Sequence, residues 1–164
     1  HRPRAGAAAA ATRRLVVMSN ARPGRTIFIA SWAANVLFAI TAVPVALGVE
    51  GLDVAAVVVA VALFLVSLPI WGYAFVVAFV RSAHGDDVTV GRLFLFDPGA
   101  PRDVRWRLYG ALGICVVIAG ATAAANPFGV LVPMLPLGLV GVWGARHGHY
   151  LPRAAYSRGR EGSA

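Results

Sequence analysis

Four long stretches of the chain contain no charged side chain, and this feature restricts the fold more than any other. They are residues 26–47, 54–80, 108–125 and 127–145. A helix rises about 1.5 Å per residue, so about 20 apolar residues cross the hydrocarbon core of a bilayer. The second stretch exceeds that length and requires a tilt, or a bend at Pro69. The sequence therefore predicts an all-α polytopic membrane protein with four transmembrane helices.

The positive charges are distributed unequally among the segments before, between and after these stretches. All 15 basic residues are arginines; the first, third and fifth segments hold six, five and four, and the second and fourth hold none. Basic residues concentrate on the cytoplasmic side of a membrane. We therefore expect two antiparallel hairpins with both termini in the cytoplasm. A three-span alternative would leave 127–145 in the interface and place the C-terminal arginines outside, which this rule disfavours.

These boundaries give a simple predicted organisation. Residues 1–25 form a basic N-terminal extension that we expect to be disordered, and Met18 is an alternative start. Residues 26–146 form the four-helix domain, with a cytoplasmic connector at 81–107. A basic cytoplasmic tail follows at 147–164.

The composition excludes an ordinary soluble domain and indicates the kind of partner. Apolar residues make up 59% and charged residues 13% of the chain, about half the usual charged share. The net charge is +8, but the arginines flank apolar spans, so anionic lipid headgroups are the expected counter-charge rather than nucleic acid. We expect headgroup contact at Arg102, Arg105 and Arg107 beside Trp106, where the third span begins.

The spans themselves contain no Asp, Glu, Arg or His, and the chain has no lysine. Proton-coupled carriers and pumps usually keep such a group at depth, so this absence disfavours them. A passive pore or a permease for an uncharged solute stays open. Ser31 and Asn35 share one helical face, and they predict either a substrate contact or, more simply, a polar contact between helices.

Small and aromatic residues also recur within the spans. Gly120 and Ala124, and Gly141 and Ala145 with Gly138, have the spacing that lets helices approach closely. Tryptophan and tyrosine side chains are expected to form an interfacial belt, and these are Trp71, Tyr73, Trp106, Tyr109, Trp143 and Tyr150.

A polar cluster near the membrane surface is the only candidate for catalysis. Two imidazoles and two carboxylates could make a metal or acid–base site if the 81–107 connector folds back beneath the fourth helix. Their spacing matches no metal motif, so we expect solvated residues, no catalytic residue, no metal and no cofactor. The candidates are His84, Asp86, Asp87, Arg146, His147 and His149.

Parts of the chain resemble a group of small integral membrane proteins of actinobacteria that have no assigned activity. The residues that carry the resemblance are 84–87 (HGDD), 107–113 (RLYGALG) and, above all, 121–153 (ATAAANPFGVLVPMLPLGLVGVWGARHGHYLPR). The likeness extends from about residue 26, although the first span contributes only composition. It implies a bacterial plasma membrane location and transfers no catalytic residue.

The sequence therefore favours a non-enzymatic protein of the bacterial inner membrane. We expect an accessory or binding subunit whose arginine-rich cytoplasmic face contacts anionic lipids and a protein partner. One alternative is a small permease or pore for an uncharged solute, acting as a homo-oligomer. A second is a membrane enzyme that uses the cytoplasmic His and Asp side chains.

Overall fold

The structure, a computed structural model, describes residues 24–96, 100–148 and 150. Over these residues the chain is all-helical, and four helical segments are long and apolar enough to cross a membrane. The helices are α1 (Arg25–Ala46), α2 (Asp53–Ala83), α3 (Val90–Leu93), α4 (Arg102–Thr122), the 3₁₀ helix η1 (Pro127–Leu131) and α5 (Met134–His147). The expected extension up to Pro23 and the tail from Leu151 lie outside the described residues.

Helix α4 begins six residues before the third apolar stretch. Pro101 precedes it and Asp103 lies in its first turn, where the positive end of the helix dipole stabilises a carboxylate. The arginines at 102, 105 and 107 therefore lie on the first turns of a helix rather than in a loop. The helical repeat therefore determines which of these arginines share a face of α4.

The fourth span is divided because it contains Pro133 and Pro136. Proline lacks an N–H, so in a regular helix these two residues would leave the carbonyls of Gly129 and Val132 without donors. The tighter 3₁₀ pattern supplies donors instead: Val132 N–H donates to Gly129 O at 3.1 Å, and Leu135 N–H donates to Val132 O at 3.0 Å. The apolar span thus keeps its backbone hydrogen-bonded, as the interior of a bilayer requires.

Helix α5 is the core helix of the bundle. Ten of its 14 residues are buried, against five of the 31 residues of α2. The most extensive packing is between α2 and α5 and between α1 and α4, pairs that are not adjacent in sequence. Large apolar side chains on α1, α2 and α4, including Ile40, Phe79 and Val117, are more than half exposed. Such exposure is expected where lipid, rather than water, surrounds the helices.

Two apolar clusters occupy the two ends of the bundle. Ile27, Val104 and Trp143 meet in one cluster, and Phe38, Cys115 and Val132 meet in the other. The first cluster therefore joins the start of α1, the start of α4 and the last turns of α5. We call this the arginine end, because it carries the arginines that the structure describes: Arg25, Arg81, Arg92, Arg102, Arg105, Arg107 and Arg146.

The polar pair predicted on α1 lies between helices. Ser31 and Asn35 are both buried, and Asn35 Nδ2 donates a hydrogen bond to Ala111 O of α4 at 2.6 Å. Ser31 Oγ and Asn35 Oδ1 have no protein partner. The geometry therefore favours the simpler interpretation, a polar contact between α1 and α4.

Glycines on α5 allow close packing, whereas Gly120 on α4 does not. A Cβ atom at Gly138 would lie 3.0 Å from the indole of Trp71, and one at Gly141 would lie 3.6 Å from Ala74 Cβ. A Cβ atom at Gly144 would collide with the backbone carbonyl of Leu93 in α3. At Gly120 it would meet nothing within 4 Å. The packing role predicted for small residues therefore belongs to α5.

We predict that Gly144→Ala destabilises the protein because the carbonyl of Leu93 cannot move without displacing α3. Overpacking of this kind costs about 1–3 kcal/mol. The matched control is Gly120→Ala, which gains helix propensity of about 1 kcal/mol without a clash. Thermal unfolding in mild detergent should show a lower midpoint for Gly144→Ala only. Equal midpoints for the two variants would contradict the contact.

Candidate functional site at the arginine end

The connector after α2 folds back against the bundle. Leu93 packs in a small apolar cluster with Ala78 of α2 and Ala145 of α5, and Val88 and Phe94 pack against it. Thr89 precedes α3, and its Oγ1 accepts a hydrogen bond from Arg92 N–H at 3.4 Å. The fold-back that a polar site would require is therefore present, and apolar contacts hold it.

Helix α3 ends in a left-handed turn that is normally made by glycine. Phe96 N–H donates to Gly91 O at 2.7 Å and Leu95 N–H donates to Arg92 O at 3.2 Å, the pattern of a Schellman motif. The residue in the left-handed conformation is Leu95, with φ 58°. Its side chain is only 2% exposed and packs in the cluster of the arginine end. Burial of Leu95 thus stabilises a strained turn, and this turn positions Phe96.

Arg81 connects the end of α2 to three other segments. Its Nε donates to Asp86 Oδ2 at 3.0 Å, and its Nη1 donates to Ala145 O at 2.9 Å and to Gly148 O at 3.4 Å. Its guanidinium also lies 4.6 Å from the ring centroid of Tyr150. A helix ends with carbonyls that lack intrahelical donors, and Arg81 supplies a donor to one of those of α5 and to the carbonyl of Gly148, which follows it.

Tyr150 binds the same helix end beside Arg81. Its hydroxyl donates to Gly144 O at 2.9 Å. Burial raises the pKa of Tyr150 above its ordinary value of 10.0, against the lowering effect of Arg81. Because the pKa of Tyr150 is higher in the folded state, the protonated side chain contributes fully to the free energy of unfolding below pH 10. This contribution is lost as the pH rises through the raised pKa. The hydroxyl is therefore a donor throughout the physiological range.

The carboxylates of the predicted polar cluster are engaged in ion pairs. Asp86 pairs with Arg81 at 3.0 Å, and Asp87 Oδ2 pairs with Arg92 Nη1 at 3.3 Å. His84 is exposed, and its Nδ1 lies 2.7 Å from Val80 O of its own helix. The carboxylates thus organise the connector, and their partners are arginines rather than imidazoles.

The remaining members of that cluster lie at the end of α5. His147 stacks on Trp143 with ring centroids 5.3 Å apart, and its Nδ1 is buried without a protein partner. Arg146 is exposed, and His149 lies outside the described residues. Among the described residues, no three His, Cys, Asp or Glu side chains come together as a metal site would require.

The residues predicted to contact lipid headgroups lie on two faces of α4. Arg102, Arg105 and Trp106 share one face with Tyr109, because helical neighbours recur every three or four residues. Arg107 lies on another face, with its guanidinium 5.9 Å from the ring centroid of Phe28 in α1. Trp106 is 79% exposed. An open cleft of about 320 Å³ lies beside it, lined by Phe96, Arg105, Trp106 and Tyr109.

Sequence reasoning missed the structural roles of Arg81 and Tyr150 and placed Trp143 differently. Arg81 counted only as a charge that ends a span, although its position directly after the last apolar residues of α2 was a usable signal. Trp143 is 3% exposed and packs inside the bundle, so it is not part of an interfacial belt. Trp71 is partly buried, and its Nε1 donates a hydrogen bond to Met134 O at 2.9 Å, so it also connects two segments of the bundle.

No family model, no curated protein and no solved structure matches the chain.

We predict that Arg81→Gln loosens the end of α5, because it removes the donor to Ala145 O and the ion pair with Asp86. Hydrogen exchange of the amides after Val142 should become faster, and the bundle should lose stability. Arg146→Gln is the matched control, since Arg146 is an exposed arginine at the same helix end. Equal protection of these amides in the two variants would rule out the role assigned to Arg81.

Proposed function

We propose that this chain is a non-enzymatic protein of the bacterial inner membrane. Its four spans form two in–out–in hairpins, with both termini in the cytoplasm. The arginine end faces the cytoplasmic leaflet and binds anionic lipids there. In this position the protein acts as an accessory or binding subunit of a membrane complex.

One observation carries the proposal: exposed arginine and tryptophan side chains lie together where a membrane-length helix begins. Arg102 and Trp106 are exposed on the first turns of α4, and Arg105 lies half-buried between them on the same face. Tryptophan favours the headgroup region because its ring is apolar and its N–H is polar. Each arginine near an anionic leaflet gains about 1 kcal/mol. This combination suits a membrane surface better than it suits water.

The enzyme alternative has less support than the lipid-binding proposal. Asp86 and Asp87, the carboxylates available for acid–base chemistry, are hydrogen-bonded to arginines at 3.0 Å and 3.3 Å. Purification in mild detergent separates the candidates. A stable protein partner supports the subunit, a homo-oligomer with an axial cavity supports the permease, and a bound metal supports the enzyme.

The proposed topology predicts which exposed positions react from outside the cell. In a Cys115→Ala background, Glu50→Cys and Ala125→Cys should react with a membrane-impermeant thiol reagent in intact cells. Ala83→Cys and Asp103→Cys should react only after the membrane is opened. All four native residues are exposed, so burial does not limit labelling. Labelling of Asp103→Cys in intact cells would overturn the proposed orientation.

If the first turns of α4 bind anionic lipid, removal of their positive charges should reduce the amount of bound lipid. Changing Arg102, Arg105 and Arg107 together to Gln should lower the anionic lipid that co-purifies, measured by quantitative mass spectrometry. The matched control changes the same three residues to Lys, which keeps the charge and should keep most of the lipid. Unchanged lipid in the Gln variant, with an unchanged unfolding midpoint, would refute the proposal.

A further inference from the structure

We propose that the cleft beside α4 is a discrete binding site for one phospholipid whose headgroup carries no positively charged nitrogen. The phosphate would bind Arg105, and an acyl chain would lie against Phe96 and Trp106. This inference rests on the proposed function, because it requires the arginine end to lie at the level of the headgroups. The proposed function requires only that anionic lipids gather at the arginine end. The cleft would in addition bind one lipid molecule at a defined position.

The cleft has a size and a lining that suit such a ligand. Its volume of about 320 Å³ is near the lower limit of small-molecule sites, which usually measure about 300–1,000 Å³. The phosphate and the first part of one acyl chain can occupy that space while the rest of the lipid remains in the bilayer. Among the described residues that line the cleft, three side chains are aromatic and one is a guanidinium, so this part of the lining places a positive charge beside an apolar wall.

The position of Arg105 favours binding of a phosphate group. Its side chain is half-buried, and Nη1 donates to Leu95 O at 3.4 Å, which directs the guanidinium towards the turn after α3. A guanidinium has five N–H donors and binds phosphate oxygens in a two-pronged geometry. Arg102 lies one turn earlier on the same face and increases the positive potential at the cleft. Headgroups that contain a positively charged nitrogen would bring that charge to the same place, which disfavours them.

The residues that the structure describes leave the apolar wall of the cleft largely uncovered. Phe96 is 66% exposed and Trp106 is 79% exposed, although both border the cleft. Tyr109 is fixed behind them, because its hydroxyl donates to Phe94 O at 2.5 Å and its ring lies 5.9 Å from that of Phe96. The left-handed turn at Leu95 holds Phe96 in this place. In the interface, an acyl chain is the apolar group available to cover both rings.

Native mass spectrometry of the full chain from nanodiscs tests the site. The nanodiscs would contain equal amounts of phosphatidylglycerol and phosphatidylcholine. The wild-type chain should retain one phosphatidylglycerol and prefer it to phosphatidylcholine. Arg105→Gln should reduce this preference about tenfold, the change expected when one charge-assisted contact of about 1.4 kcal/mol is lost. Arg146→Gln, which removes an exposed arginine of the same end that does not line the cleft, should reduce the preference far less than Arg105→Gln.

Two further variants keep the result interpretable. Phe96→Ala should shorten the retention of both lipids, because the wall that holds the acyl chain is smaller. Arg105→Lys should keep part of the preference even if Arg105→Gln proves unstable. If phosphatidylglycerol is preferred but Arg105→Gln and Arg146→Gln lose the preference equally, the discrete site is overturned and the lipid-binding face stands. If the wild-type chain shows no preference, the proposed function fails as well.

Discussion

The end of α5 depends on donors that come from outside the helix. The last carbonyls of a helix lack donors within the helix, and here they lie where a membrane-length segment ends. Arg81 of α2 supplies a donor to Ala145 O, and Tyr150 adds a second donor to Gly144 O, which also accepts from Gly148 N–H at 2.8 Å. Because Arg81 also binds Asp86, one guanidinium connects α2, the connector and α5. The apolar contacts of Leu93 with Ala78 and Ala145 then hold α3 against the same two helices.

The amino acids of α5 explain why it can be the core helix. Its glycines face α2 and α3, where larger side chains would collide with Trp71 or with the carbonyl of Leu93. Its prolines lie near its start, where a 3₁₀ turn provides the missing hydrogen bonds. The same residues that weaken an isolated helix therefore suit this one, because its neighbours compensate for them.

The long apolar stretches and their lack of charge were sufficient to predict four membrane-length helices. They were not sufficient for details that depend on distant contacts. Trp143 has the sequence context of an interfacial residue, yet it is buried because α1 and α4 pack over it. The cleft could not be predicted, because it depends on a left-handed conformation at Leu95, where the local sequence offers no glycine. The ion pairs of Asp86 and Asp87 are local, because each joins residues five positions apart, yet that spacing alone does not specify them.

The enclosed position of α5 has a consequence for biogenesis. Helices are synthesised in chain order, so α1, α2 and α4 are made before α5. α5 contacts each of these helices and is the most enclosed of the four membrane-length segments. Before α5 is made, the faces of the three earlier helices that pack on it have no partner, and Arg81 has no carbonyl of α5 to bind. The contacts that unite the bundle therefore form late in synthesis, and a chain truncated before Met134 would lack them.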